Sequence, residues 1–325
     1  MMIDKSKNPD FLNAFLDYSS VILNKSPNTI KEYNYDLVNF LKFVKHHLGI
    51  TAETDFKSIT ITDITIEDIK KLKLNDLHSY LAYLKDYHNA KPATRARKVA
   101  CLKTFFNYLT VKTNQLEINP AQNLESPKLD KRIPKYLSLD ESKDLLNTVH
   151  EEDNRNNERD YAIITIFLNC GIRLAELVNI NISDINFSDN KLNVIGKGNK
   201  ERTIYLNKAC VKAIEDYIKI RPRDAVKSDS RDALFLSERR ERISRRTVQY
   251  VVKRELQKTG LDINKYSVHK LRHTAATLMY QYGNVDIRAL QELLGHESIS
   301  TTEIYTHVDN SQVRAAVESN PLADI

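Results

Sequence analysis

Much is missing from this chain, and each absence narrows the reading. Only three cysteines occur in 325 residues, Cys101, Cys170 and Cys210. The number is odd, the spacing is long and no C-x-x-C pair exists, which excludes a disulfide framework or a thiolate zinc site and fits a reducing compartment. Seven glycines and eight prolines are too few for low-complexity linkers. No apolar run approaches the ~18 residues needed to span a bilayer. The opening MMIDKSKNPD lacks the apolar core of a signal peptide. The expectation is a cytoplasmic protein without a membrane anchor.

What is present suits a folded protein of two domains. Hydrophobic residues make up 41% and charged residues 28% of the chain, within the range of soluble domains, and the length exceeds one typical domain. The net charge is +6, spread evenly on either side of Asp130. A nucleic-acid surface must therefore come from local clusters rather than from a basic tail.

Residues 1–125 read as helical. Ser26-Pro27 is a helix start, and Ile30, Tyr33, Leu37, Phe40, Leu41 and Val44 follow at helical spacing. More helix is expected over residues 66–87. After Lys91-Pro92 comes a helix whose first half holds Lys91, Arg95, Arg97, Lys98 and Lys103 with no acid among them. Cations at a helix start join its free N–H groups and are placed to meet phosphates; the plainer alternative is a solvated charged face. Residues 126–135, SPKLDKRIPK, form a basic linker.

Residues 136–325 make a second domain. Ser138 and Glu141 form a capping box. Residues 159–180 give a strongly apolar helix, a break at Gly171 and a new helix. Arg173 stands at the break, and an arginine there is costly to bury unpaired; Glu176, three residues on, is a candidate partner. Period-two segments at 184–187, 191–195 and 202–206 predict a small antiparallel sheet with a lysine-bearing hairpin, GKGNK. The phosphate-loop pattern G-x-x-x-x-G-K-[ST] is missing there, which excludes nucleotide binding by that loop. Five arginines lie between Arg239 and Arg246, among them Arg242, Arg245 and Arg246, with Ser244 as N-cap. This is the densest basic patch of the chain and, with the others, favours a nucleic-acid partner. Further on, His269 and Arg272 share a helix face by their spacing, His296 follows a Leu-Gly turn, and Tyr305 comes nine residues later, behind a capping box of Ser300 and Glu303.

These motifs carry a resemblance. GIRLAEL around Arg173, GKGNKER around Lys197, HKLRHT around His269 and Arg272, LLGH around His296 and TEIYTH around Tyr305 resemble the tyrosine recombinase (phage integrase) family, most closely its Xer-like bacterial members. Each motif alone is unspecific, but all five stand in the family's order. SPNTIKEY and PATRARK in the first domain resemble the family's DNA-clamping domain, so nearly the whole chain is covered. The resemblance implies a mainly α fold: an N-terminal helical DNA-clamp (SAM-like) domain and a mostly helical catalytic domain with a small antiparallel sheet. It implies site-specific recombination through a 3′-phosphotyrosyl intermediate, with Tyr305 as nucleophile, His269 as base and proton shuttle, and His296 holding the phosphate or the tyrosine. Lys197 on the hairpin looks like the general acid, a role that Lys200 or Arg202 could fill instead. Glu176 would orient the active-site arginine or histidine. The chemistry agrees. Two guanidiniums, Arg173 and Arg272, can hold the nonbridging oxygens, and the phosphotyrosyl bond conserves the energy for rejoining, so no ATP, metal or other cofactor is expected. The implied partners are a double-stranded recombination site and sister protomers, as a homo-tetramer on two DNA sites or a hetero-tetramer with a second recombinase. The implied role is resolution of chromosome or replicon dimers. Other readings are an integrase or excisionase of a mobile element, a type IB topoisomerase, and a DNA-binding protein without catalysis. The tail, with Val313, Ala316 and Val317, suggests a short helix that docks on a neighbouring protomer.

Overall fold

A serine followed by a proline starts α2 (Pro27–His47) for two reasons. Ser26 Oγ accepts the Thr29 N–H at 3.2 Å, and Pro27 lacks an N–H that would have had no partner in the first turn. The computed structural model describes residues 3–128, 135–151, 154–196, 201–283, 285–295 and 302. The chain divides into two compact units, Met1–Lys131 and Arg132–Ile325.

In the first unit, α1 (Asp10–Val21) and α5 (Pro92–Asn107) pack on α2. The core is aromatic. Phe15 meets Phe105 edge-on at 5.3 Å between ring centroids, and Phe40 meets Tyr80 at 5.1 Å, the arrangement aromatic quadrupoles favour. The stretch read as helical over 66–87 is two helices, α3 (Ile66–Lys70) and α4 (Leu74–Asp86). Two carboxylates open them: Asp68 accepts the Thr65 N–H at 3.1 Å and Asp76 the Lys73 N–H at 2.8 Å. Leu72, between the helices, turns into the core. A π-helical turn over Tyr108–Lys112 ends α5.

The second unit is built around α7 (Asn157–Cys170), whose residues from Ala162 to Leu168 are all buried. A helix apolar on every side must be covered on every side, and α6 (Leu139–His150), α9 (Lys208–Ile220) and α11 (Val268–Tyr282) surround it. In the chain between α7 and α9 comes the sheet, with β1 (Ile185–Asn186), β2 (Lys191–Ile195) and β3 (Glu201–Tyr205) in antiparallel order β1-β2-β3. The register pairs Leu192 with Ile204 and Val194 with Arg202. Leu192, Val194 and Ile204 are buried, so the alternation sends Arg202 to the inner face too. Three more helices complete the described part: α8 (Leu174–Asn179), α10 (Arg245–Lys258) and α12 (Ile287–Leu294). The architecture is mainly α with a small antiparallel sheet. No helix among the described residues is long and apolar enough to cross a membrane. Most of the linker read over 126–135 and the whole tail from 309 lie outside the described residues.

Candidate active site

The site begins where α7 stops. Gly171 sits at φ +56° and ends the helix; a Cβ there would come within 3.0 Å of Leu294 Cδ2, so glycine serves both the turn and the close packing. Its carbonyl accepts a hydrogen bond from Arg272 Nη1 at 2.6 Å. Two residues on, Arg173 precedes α8. Glu176, in the first turn of α8, accepts the Arg173 backbone N–H at 2.8 Å and its Nη1 at 2.7 Å.

A second segment, α11, presents His269 and Arg272 one turn apart. The third is the end of α12, where Gly295 stands at φ +62°. Here three arginines reach three successive carbonyls. Arg202 Nη1 bonds Leu293 O, Arg272 Nη2 bonds Leu294 O at 2.6 Å and Arg173 Nη2 bonds Gly295 O at 2.5 Å. The last carbonyls of a helix lack partners within it and carry the negative end of its dipole; cations complete them. A side chain at 295 would be strained by the positive φ, and its Cβ would crowd Arg202 Cδ at 3.0 Å.

Glu176, only 2% exposed, is the one carboxylate bonded to this cluster among the described residues. It bridges Arg173 and Arg202, the latter through Nη2 at 2.8 Å. Burial alone would raise its pKa; hydrogen bonds and charge from Arg202, and then from Arg173, outweigh that and hold it below the ordinary value. Among the described residues two guanidiniums share this one carboxylate, so the trio of Arg173, Arg202 and Glu176 carries one net positive charge.

Arg173, His269 and Arg272 line one cleft of about 630 Å³ together with Gln249, Lys253 and Tyr266. The His269 imidazole keeps solvent access, yet its pKa lies below the usual histidine value. Partial desolvation is the main cause, followed by repulsion from Arg272, Lys270 and Arg173. It is therefore neutral at neutral pH and able to take a proton. His273, one turn further, meets it edge-on at 4.6 Å. Two guanidiniums and a neutral imidazole on one wall can bind an oxyanion such as a phosphodiester and receive a proton from an attacking hydroxyl.

The structure thus brings together Arg173, Glu176, His269 and Arg272. Lys197, His296 and Tyr305 lie outside the described residues, as do Ser300 and Glu303. Two of the cations expected on DNA are redirected. Lys98 is buried, with Nζ 2.7 Å from the buried Asp36 Oδ1; an ammonium inside the unit needs that carboxylate and does not face a partner. Arg242 turns inward, giving N–H groups to the carbonyls of Val178 and Ile180 and to Asn181 Oδ1. Of the other expected contacts, Arg95 is half-buried, Arg97 pairs with Asp36 and Glu32 while partly exposed, and Lys91, Lys103, Arg245 and Arg246 are exposed. The sequence reading gave His273 no catalytic role, did not single out Lys253, and admitted Arg202 only as a stand-in for Lys197. The available signal was the strand period: an arginine on the apolar face of a strand requires a buried partner.

Comparison with known proteins gives a consistent picture. The phage integrase family matches residues 135–312. The chain is similar to tyrosine recombinase XerC of Caldanaerobacter subterraneus subsp. tengcongensis, at 56% identity over 318 residues that cover 98% of this chain and 88% of that protein. It is 36% identical to tyrosine recombinase XerC of Staphylococcus aureus strain JH9, with 93% of each chain covered. Its fold is similar to that of the XerH site-specific recombinase crystallised on a palindromic difH substrate after cleavage, with a TM-score of 0.72 and 24% identity over 95% of this chain and 83% of that one.

Proposed function

The chain belongs to the phage integrase family, the tyrosine recombinases, and we propose that it is an Xer-type site-specific recombinase that resolves joined copies of a chromosome or replicon. The observation that carries this is the shared cleft of Arg173, His269 and Arg272, with its two guanidiniums and its neutral imidazole.

Catalysis follows from what each group can do. The scissile phosphodiester sits against Arg173 and Arg272, whose guanidiniums donate to its nonbridging oxygens and stabilise the charge that grows there in the transition state. Tyr305 Oη attacks phosphorus. Phenol has a pKa of ~10, so its proton must go to a base, and His269 takes it. The bond from phosphorus to the 5′-oxygen breaks, and Lys197 gives that oxygen a proton. A 3′-phosphotyrosyl bond and a free 5′-hydroxyl result. Attack by a 5′-hydroxyl from the partner duplex reverses each step and rejoins the strand without ATP. Lys91 just before α5 and Arg95 and Lys103 on it, with Arg245 and Arg246 at the start of α10, contribute phosphate contacts that hold duplex DNA. Four protomers, identical or paired with a second recombinase, act on two sites in the cytoplasm.

One experiment tests both the chemistry and the role: sequencing the DNA covalently trapped on the protein in cells, for the native chain and for Tyr305→Phe. The native protein is expected to trap one short, partly palindromic site per replicon, and the variant none. Adducts on the variant would assign the nucleophile elsewhere. Adducts confined to the ends of a mobile element would replace resolution with integration.

A further inference from the structure

The cleft is lined by two arginines, but the cluster behind it holds a third. Arg202 does not line the cleft. It lies on β3, five positions after Lys197 in the sequence, and its side chain faces inward with only 14% exposure. It makes two kinds of bond: Nε and Nη2 to Glu176, at 3.4 and 2.8 Å, and Nη1 to the Leu293 carbonyl. We propose that Arg202 is a positioning residue for strand cleavage: it takes up the charge of Glu176 so that Arg173 keeps its own for the phosphate, and it ties β3 to the turn before His296. This rests on the recombinase reading above.

The argument is one of charge sharing. Glu176 is buried and its carboxylate lies between two guanidiniums. Were Arg173 its sole partner, the pair would be a closed ion pair and Arg173 would meet a phosphate as a nearly neutral group. With Arg202 bonded through two nitrogens to the same carboxylate, the trio carries one net positive charge on the side that faces the cleft. Among the described residues the side-chain bonds of Arg173 engage two of its nitrogens, one with Glu176 and one with Gly295 O, and a guanidinium has five N–H donors in a rigid fork. Donors as well as charge thus remain for an anion. The second part is geometric. Arg202, Arg272 and Arg173 hold the carbonyls of Leu293, Leu294 and Gly295 in turn. Of the three, only Arg202 belongs to the sheet, so it alone connects the hairpin strand to the end of α12.

The test is single-turnover cleavage of a nicked recombination site by saturating protein, for the native chain, Arg202→Met, Arg202→Lys, Arg173→Met and the Arg173→Met/Arg202→Met double variant. Each is assayed on the phosphate and on a methylphosphonate at the scissile position, which is neutral and needs less cationic help. Arg202→Met is expected to cleave the phosphate about 100-fold more slowly and to recover most of that deficit on the methylphosphonate. The double variant should be no slower than Arg173→Met alone, because both changes act through one guanidinium. Arg202→Lys, which keeps the charge but loses the fork, should fall between; if Arg202→Met does not fold, the lysine variant carries the same comparison of substrates. Native rates in the Arg202 variants overturn the proposal. So do equal deficits on both substrates combined with additive losses, the signature of a residue that only supports the fold. Failure of the native chain to form a Tyr305 adduct would instead strike the recombinase reading and is seen separately in the same assay.

Discussion

Two cation clusters of this protein, one around Asp36 in the first unit and one around Glu176 in the second, balance their charge differently. In the first unit Lys98 and Arg97 meet Asp36, and Arg97 also reaches Glu32: two cations, two carboxylates. In the second, Arg173 and Arg202 share one bonded carboxylate among the described residues, Glu176, and both of them, like Arg272, also donate to carbonyls. Carbonyl dipoles orient a guanidinium without cancelling its charge. The first arrangement is closed and holds helices together. The second is open to one more anion. Counting basic residues does not separate a structural cation from one that seeks a ligand; the degree of compensation does.

The largest effect should come from breaking the closed pair. Asp36→Ala leaves the Lys98 ammonium buried, its side chain 7% exposed, and loss of one partner of a buried pair costs roughly 3–5 kcal/mol. Urea denaturation should show that loss, while cleavage per folded molecule, measured well below the midpoint, stays near native. A variant as stable as the native protein would show that the first unit does not depend on its compensation.

Next comes the open cluster, where the cost should fall on rate. Arg272→Lys keeps a positive charge but loses the fork that reaches Gly171 O and Leu294 O at once. Cleavage should drop by about 10²–10³-fold, as for loss of one oxyanion donor, with at most ~1–3 kcal/mol of stability lost for the carbonyls left short of a donor. Rapid quench on a nicked site and a thermal melt separate the two. A variant that mainly melts, and cleaves normally once folded, would place Arg272 with Lys98 as a structural cation.

Why the sequence separated these cases only in part is a matter of distance along the chain. Local features were legible. Apolar spacing marked α2, α5 and α7, Gly171 marked the break before Arg173, and the interval from His269 to Arg272 placed both on one wall of the cleft. Glu176 was identifiable as a partner because it is three residues from Arg173. Buried cations were not legible. Lys98 is decided by Asp36, 62 positions away, Arg242 by carbonyls more than 60 positions away, and Arg202 by Leu293, 91 positions away. Helix period tells which face a residue occupies, not which remote element covers that face. The division of residues 66–87 was missed for another reason: Asp68 and Asp76 each cap a start, and two starts inside one apolar period read as continuous helix.

The smallest effect is also the most direct reading of uncompensated charge, because His269 reports it. Its pKa lies below the ordinary imidazole value of ~6.5, through desolvation first and then through Arg272, Lys270 and Arg173. The neutral ring is the base, so kcat/KM should rise with pH through the free protein's His269 pKa, and the acid limb should lie below the ordinary imidazole range. Lys270→Gln removes one repelling charge and leaves both cleft arginines in place; the limb should then move upward, toward the ordinary value, with rates on the alkaline side unchanged. The same shift has a sign in stability. A histidine whose pKa is depressed by folding binds its proton more readily when unfolded, so its contribution is lost as pH falls through the unfolded value and levels off below the folded one. His269→Asn should flatten that part of the stability profile. An acid limb at or above the ordinary value in the native protein would mean that the cluster's surplus is already neutralised, and the contrast between the two units would fail at its most sensitive point.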